Sequence, residues 1–174
     1  MNNQIRKISL AGLFIALSVI LARFLAGDMI IGGLSVLRIS FGPIPIYLSG
    51  ILLGPVHGAI VGALSDGLGY IIKPLGPYFP GFALNGALTG LIPPLLFRTF
   101  KGRQSWLGLA LIVIMVEALT SMILTPLWLS IMTGKAFIAF LPSNIISRAF
   151  LIPAYIITLR LGLKYSRRMI PSLM

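Results

Sequence analysis

The chain carries only three carboxylates, Asp28, Asp66 and Glu117, and the last two lie inside long apolar stretches. An acid within a membrane is expensive unless a cation, a donor or a ligand stands beside it, so such residues mark binding, gating or ion pairing. Asp66 follows Gly54, Gly58 and Gly62 at intervals of four, which places three glycines and an acid on one ridge of one helix. Glycines at that spacing let a second helix approach closely. Ala59, Ala63 and Gly67 make the adjacent ridge, so this side has almost no bulk and is expected to be covered by protein. Asp66 can then accept hydrogen bonds from a ligand or pair with an arginine such as Arg38 or Arg148.

Glu117 sits half-way along a later apolar segment, and Arg148 lies near the start of the last one. A Glu117–Arg148 ion pair is a sufficient structural role for both. Arg148 is equally suited to clamp a ligand carboxylate with its planar, two-pronged donor set. Asn85 and Thr89 share one helical face, and Thr120 and Ser121 fall partly with Glu117; all are candidates for interhelical hydrogen bonds. Tyr78, Phe79, Phe82 and Trp128 stand in or beside segments that also hold Arg38, Lys73 and Lys135. Aromatics with cations suit a planar, anionic solute, while an interfacial aromatic belt with snorkelling lysines is the plainer alternative. Gly12 and Ala16, four apart, flatten one face of the first helix for contact with another helix, inside this protein or in a partner.

The elements that must position these residues are membrane helices. The chain of 174 residues is 57% hydrophobic and 10% charged, with a mean hydropathy of +1.02. Soluble domains carry about 25% charged residues, so this one has too little polar surface to cover a globule. Six spans are expected, at about 6–26, 41–53, 56–72, 82–99, 106–127 and 143–163, forming a single all-α, polytopic domain. The second span is short and holds Pro43 and Pro45; Gly54-Pro55 makes a tight reversal into the third. The run from Ile8 to Leu25 is long enough to span and is taken as a retained helix rather than a signal peptide. Arg6, Lys7, Arg98, Lys101, Arg103, Arg160, Lys164, Arg167 and Arg168 fall on one side, nine of the fourteen bases, which places both termini in the cytoplasm. Arg23, Arg38, Lys73 and Lys135 fall outside, in or beside loops at 27–40, 73–81 and 128–142, with Arg148 just within the outer end of the last span.

Several functions are excluded. The net charge of +11 sits at segment ends rather than in a stripe, which argues against nucleic acid. The single histidine, His57, is expected at the inner turn, and the lack of cysteine leaves no metal-ligand set. No nucleophile elbow and no phosphate-binding glycine loop followed by Lys-Ser or Lys-Thr is present, so neither catalysis nor ATP binding is expected and no cofactor is implied. Uphill transport would draw its energy from a partner.

Three stretches carry a family resemblance: Arg38-Ile-Ser-Phe-Gly-Pro-Ile-Pro, Gly-Pro-Val-His-Gly-Ala-Ile-Val-Gly-Ala-Leu-Ser-Asp66, and Gly-Pro-Tyr-Phe-Pro-Gly-Phe82. Over nearly its whole length the chain resembles the substrate-binding S components of energy-coupling-factor (ECF) vitamin transporters, and within them the folate family; branches for pyridoxine and hydroxymethylpyrimidine share parts of the pattern. The resemblance implies a bacterial plasma-membrane protein that binds one vitamin near the outer face. It implies docking to a membrane coupling subunit driven by two cytoplasmic ATPases, and delivery of cargo by toppling in the bilayer. Gly12 and Ala16 match the family's Ala-x-x-x-Ala contact, with glycine in place of the first alanine.

The residues are compatible with folate. A pterin edge offers adjacent N–H donors that Asp66 or Glu117 can accept in pairs. Tyr78, Phe79, Phe82 or Trp128 can stack its rings, and the dianionic glutamate tail suits Arg38, Arg148, Lys73 or Lys135. Pyridoxine has no such tail and would leave the outer cations unexplained. Two rivals from other classes are a stand-alone channel and a small enzyme acting on lipid head groups with Asp66 and Glu117 as acid and base. Tight binding by the solitary protein separates the first from an S component, and lipid turnover the second.

Overall fold

The computed structural model describes residues 3–31, 34–74, 77–99 and 105–169. Prolines and glycines set the helix ends. After α1 (Asn3–Arg23), the chain makes an antiparallel hairpin, β1 (Gly27–Ile31) and β2 (Leu34–Ile39), where only a loop was expected. Pro43 then opens α2 (Pro43–Leu53), at the position where a missing N–H costs nothing and the ring's fixed φ is already helical. Pro43, within the short second span, therefore starts its helix rather than interrupting it. Gly54 closes α2 with a φ of 100°, a left-handed conformation that favours glycine, and donates its N–H to the Gly50 carbonyl at 2.9 Å. Pro55 opens α3 (Pro55–Ile72) directly behind it.

The remaining helices are α4 (Pro80–Thr99), α5 (Trp106–Glu117), a π-helical stretch (Ala118–Leu124), α6 (Thr125–Thr133), a 3-10 turn (Phe137–Phe140) and α7 (Leu141–Met169). From Trp106 to Thr133 the chain is one continuous helical rod. Residues 128–142, expected as a loop, are therefore mostly helical, and Trp128 belongs to α6. The π stretch has a local cause. Pro126 has no N–H and its ring would press on the carbonyl four residues back; widening the preceding turn relieves that clash within an unbroken rod.

The rods alternate in direction, so the last turns of α1, α3 and α6 and the first turns of α2, α4 and α7 gather at one end, away from the described N- and C-terminal ends of the chain. Among the described residues, four rods are long and apolar enough to cross a membrane: Gln4–Arg23, Pro80–Thr99, Trp106–Thr133 and Phe137–Tyr165. The 11 residues of α2 reach only about 16 Å against a hydrocarbon core of about 30 Å. The protein is a multi-pass membrane protein of all-α class with one short hairpin.

Two layers hold the bundle. On one side α3 and α4 meet backbone to backbone. A Cβ at Gly62 would collide with the Gly86 carbonyl, one at Gly58 or Gly50 with that of Gly90, and Gly86 and Gly90 meet the carbonyls of Gly62 and Gly58 in return. Gly90 has no amide partner four residues on, because residue 94 is a proline, and its oxygen lies over the glycines of α2 and α3 instead. The second ridge of α3 is only partly covered: Ala59, Ala63 and Gly67 are half-buried, and a Cβ placed on Gly67 would meet nothing within 4 Å. On the other side, Ile44 and Tyr47 of α2 pack with Val113 and Val116 of α5 and with Leu151, Tyr155 and Leu159 of α7. Outward faces carry exposed apolar residues such as Val56, Ile60, Leu64, Leu68 and Ile71, at the spacing of a helix face turned to lipid.

Candidate substrate-binding site

A cavity of ≈ 690 Å³ opens at the gathered helix ends, within the range of pockets that enclose drug-sized ligands. Asp66, Tyr78, Phe79, Phe82, Asn85, Glu117 and Arg148 all line it, drawn together from four separate helices and the segment before α4. Trp128 stands one layer behind. Its ring lies 5.5 Å from that of Phe79, which meets Phe82 edge-on at 6.3 Å, and its Nε1 donates to Asn85 Oδ1 at 3.0 Å. Gly81 makes room for this cluster, since a Cβ there would strike the rings of both Phe79 and Trp128. Tyr78 packs on Tyr70 at 5.0 Å. Asn85 is thus orienting the aromatic wall as well as bonding across it: its Nδ2 donates to the Thr120 carbonyl on the widened turn at 3.1 Å and to Thr125 Oγ1 at the start of α6 at 3.0 Å. Thr89 Oγ1 donates to the Asn85 carbonyl at 2.8 Å.

The two acids occupy different environments. Glu117 is enclosed, with 2% of its side chain exposed. It accepts from Tyr47 at 3.0 Å and Ser121 at 2.7 Å, and its Oε2 lies 3.3 Å from Arg148 Nη1. Tyr155 extends the group, accepting from Arg148 at 3.4 Å and donating to the Ser40 carbonyl at 2.6 Å, next to the hairpin. The expected Glu117–Arg148 pair is therefore formed, and its surplus lone pairs are satisfied by hydroxyls. Asp66 is more open, with 27% of its side chain exposed, and its neighbour is Arg23 of α1 at 3.8 Å. Arg23 itself is buried, lying against Gly69 and donating to the Lys73 carbonyl at 3.2 Å, while Lys73 Nζ returns a bond to the Arg23 carbonyl. Lys73, expected as a cation for an anionic tail, thus ties α3 to α1. Two buried polar atoms in the cavity wall, Ser65 Oγ and Arg148 Nε, have no hydrogen-bond partner among the described residues.

Arg38 lies in β2 opposite Asp28, but its side chain is outside the described residues, as are Lys101, Arg103 and the side chains of Arg167 and Arg168. Gly12 and Ala16 are remote from the cavity. Both are exposed on α1 and nothing lies within 4 Å of a Cβ placed on Gly12, so internal packing does not account for them. No group of three or more His, Cys, Asp or Glu that could hold a metal occurs among the described residues.

A family model described as "ECF-type riboflavin transporter, S component" matches residues 2–167. The chain belongs to the S components of ECF-type transporters. Its curated relatives include proteins named folate transporter FolT, one from Clostridium novyi at 33% identity over 83% of this chain and 80% of that protein. Another, from Leuconostoc mesenteroides, is 26% identical over 92% of this chain and 83% of its own length. Among solved structures, one described as FolT bound with folic acid superposes with a TM-score of 0.76 at 35% identity, covering 90% of this chain and 92% of the other. The family and these relatives are transporters.

In this S component, sequence reasoning overlooked Arg23, Tyr47, Ser65 and Tyr155 as parts of the site. Arg23 had a signal: it ends the first apolar run at the depth that alternation assigns to Asp66. Tyr47 and Tyr155 had none beyond being polar tips within apolar segments, since hydroxyl direction follows from packing.

Proposed function

We propose that this S component binds folate or a reduced folate in the cavity between α1, α3, α4, the α5–α6 rod and α7. The observation that carries the reading is the composition of one wall system: an aromatic cluster at Phe79, Phe82 and Trp128 beside the paired charges Glu117–Arg148 and Asp66–Arg23. Aromatic faces hold a flat heterocycle by stacking. Asp66 is the carboxylate open to the cavity, so it is assigned the N–H edge of the pterin, where one acid accepts two parallel bonds. Arg148, with Nε unpartnered, is assigned an anionic group of the ligand, with Ser65 supplying a further hydrogen bond. Glu117 holds Arg148 in place rather than touching the ring. The relatives named as folate transporters and the folic-acid-bound structure support this ligand class.

The termini lie in the cytoplasm on this reading, by the excess of Lys and Arg at that end, and the cavity faces outward. No catalytic step is required of any residue. Gly12 and Ala16, exposed on α1, are assigned to docking on a membrane coupling subunit that two cytoplasmic ATPases drive. Replacing either by leucine should abolish uptake and leave binding intact.

Calorimetric titration of the purified protein with folic acid, 5-formyltetrahydrofolate, riboflavin and pyridoxine tests the ligand. One-to-one binding of a folate with no heat from the other two is the expected result. Riboflavin has its own place in the series because the matching family model is described by it; selective riboflavin or pyridoxine binding would keep the architecture and replace the ligand.

A further inference from the structure

A second depression, ≈ 470 Å³, lies at the opposite end of the bundle between the first turn of α5 and the later turns of α7. It is lined by Trp106, Ile157, Arg160, Leu161 and Lys164. On α7, Ile157 and Leu161 are four apart and so are Arg160 and Lys164, which sets an apolar ridge beside a basic one. The Arg160 guanidinium lies over the Trp106 ring, 4.2 Å from its centroid, so its plane is held in place before anything binds.

Among the described residues, no side-chain carboxylate lies beside these cations. Asp66 and Glu117 line the cavity at the other end, and Asp28 stands in the hairpin at that same end. The position also matters. The rod that begins at Trp106 has 28 residues, about 42 Å, which exceeds the hydrocarbon core and carries its end into the head-group layer. Trp106, Leu107 and Tyr165 are all exposed there.

We propose that this groove is a site for one anionic phospholipid of the leaflet on the side of the termini. The lipid phosphate sits between Arg160 and Lys164, with Arg160 giving paired N–H bonds, and an acyl chain runs along Ile157 and Leu161. A basic patch without an apolar ridge would attract the leaflet only diffusely, and an apolar ridge without cations would not choose among head groups; the groove has both. The groove is formed by α5 and α7, and Gly12 and Ala16 of α1 are not among its lining residues.

Native mass spectrometry of the detergent-purified protein, titrated with phosphatidylglycerol or with phosphatidylcholine of matched chains, tests this. The expected result is a single phosphatidylglycerol retained, no comparable phosphatidylcholine, and retention weakened about ten-fold or more in Arg160→Gln/Lys164→Gln through loss of charge-assisted hydrogen bonds to the phosphate. Vitamin binding at the far end reports folding of each variant. Should the double variant fail that control, Lys164→Gln alone, at an exposed position, carries the comparison. Equal retention of both lipids, or undiminished phosphatidylglycerol retention in the variants, overturns the proposal. Displacement of the lipid by millimolar inorganic phosphate also overturns it, in favour of a soluble anion.

Discussion

The two walls of the cavity are built on opposite principles. Between α3 and α4 there are no side chains to speak of: Gly58, Gly62, Gly86 and Gly90 bring carbonyl against Cα, and the contact admits nothing larger than hydrogen. Where α2, α5, the π-helical stretch and α7 meet, the contact is made by side chains, with Tyr47, Ser121, Arg148 and Tyr155 arranged around the enclosed Glu117. The first wall is sterically rigid and indifferent to charge. The geometry of the second rests on the hydrogen bonds and the ion pair gathered at Glu117, with Arg148 Nε left for a further partner. A site made this way has one fixed jaw and one jaw whose charges a ligand can engage.

That contrast can be broken at several points. Gly62→Val should have the largest effect, because the added methyls meet the Gly86 backbone, which cannot swing away; a loss of about 3 kcal/mol or more is expected, read as a collapsed thermal transition and loss of monodisperse protein. Glu117→Ala should be nearly as severe at about 3–5 kcal/mol, since it strands the buried Arg148. If the second wall is truly electrostatic, Glu117→Leu with Arg148→Met should recover much of that stability while binding stays lost, and a thermal-shift assay of both variants decides it. Asp66→Asn should lower stability only modestly, by about 1 kcal/mol, because Asp66 is itself 27% exposed and the buried Arg23 keeps its hydrogen bond to the Lys73 carbonyl. It should weaken vitamin binding about 10- to 100-fold, as expected for removing a charged acceptor, and calorimetry reads it. The smallest effect is expected one turn away: Gly67→Ala meets nothing within 4 Å and should be neutral or stabilising by about 0.5 kcal/mol. Equal damage at Gly62 and Gly67 would mean that glycine matters here for flexibility and not for approach.

The sequence disclosed the rigid wall more readily than the charged one. Gly58, Gly62 and Asp66 announce a ridge by spacing alone, because glycine has one use at intervals of four in an apolar helix. Its partner, Gly86 and Gly90, follows the same rule on α4 and is recognisable once the first ridge is known. The acids were legible for a different reason: only three exist, so Glu117 and Asp66 could not be incidental. Their partners were less so. Arg148 was expected beside Glu117, whereas Arg23 beside Asp66 depends on how α1 and α3 end at the same depth, a relation between elements that no local pattern encodes. The hairpin at 27–39 was hidden because its flanking glycines and single charged residues break the alternation that marks a strand. The widened turn at Ala118–Leu124 leaves only Pro126 as a trace, and a proline in an apolar run more often signals an end or a kink.

The shortness of α2 has a consequence for where the cavity comes from. A helix of 11 residues begins at Pro43 only part-way through the bundle, and Gly42, Pro43 and Ile46 line the cavity. The start of α2 thus forms part of the cavity wall, and further N-terminal turns on this helix would compete for the same space. A bundle of this kind can enlarge or shrink its cup by moving one proline along one helix, leaving the glycine seam and the ion pair untouched, which gives a family of vitamin binders a way to change cargo size without redesigning its frame.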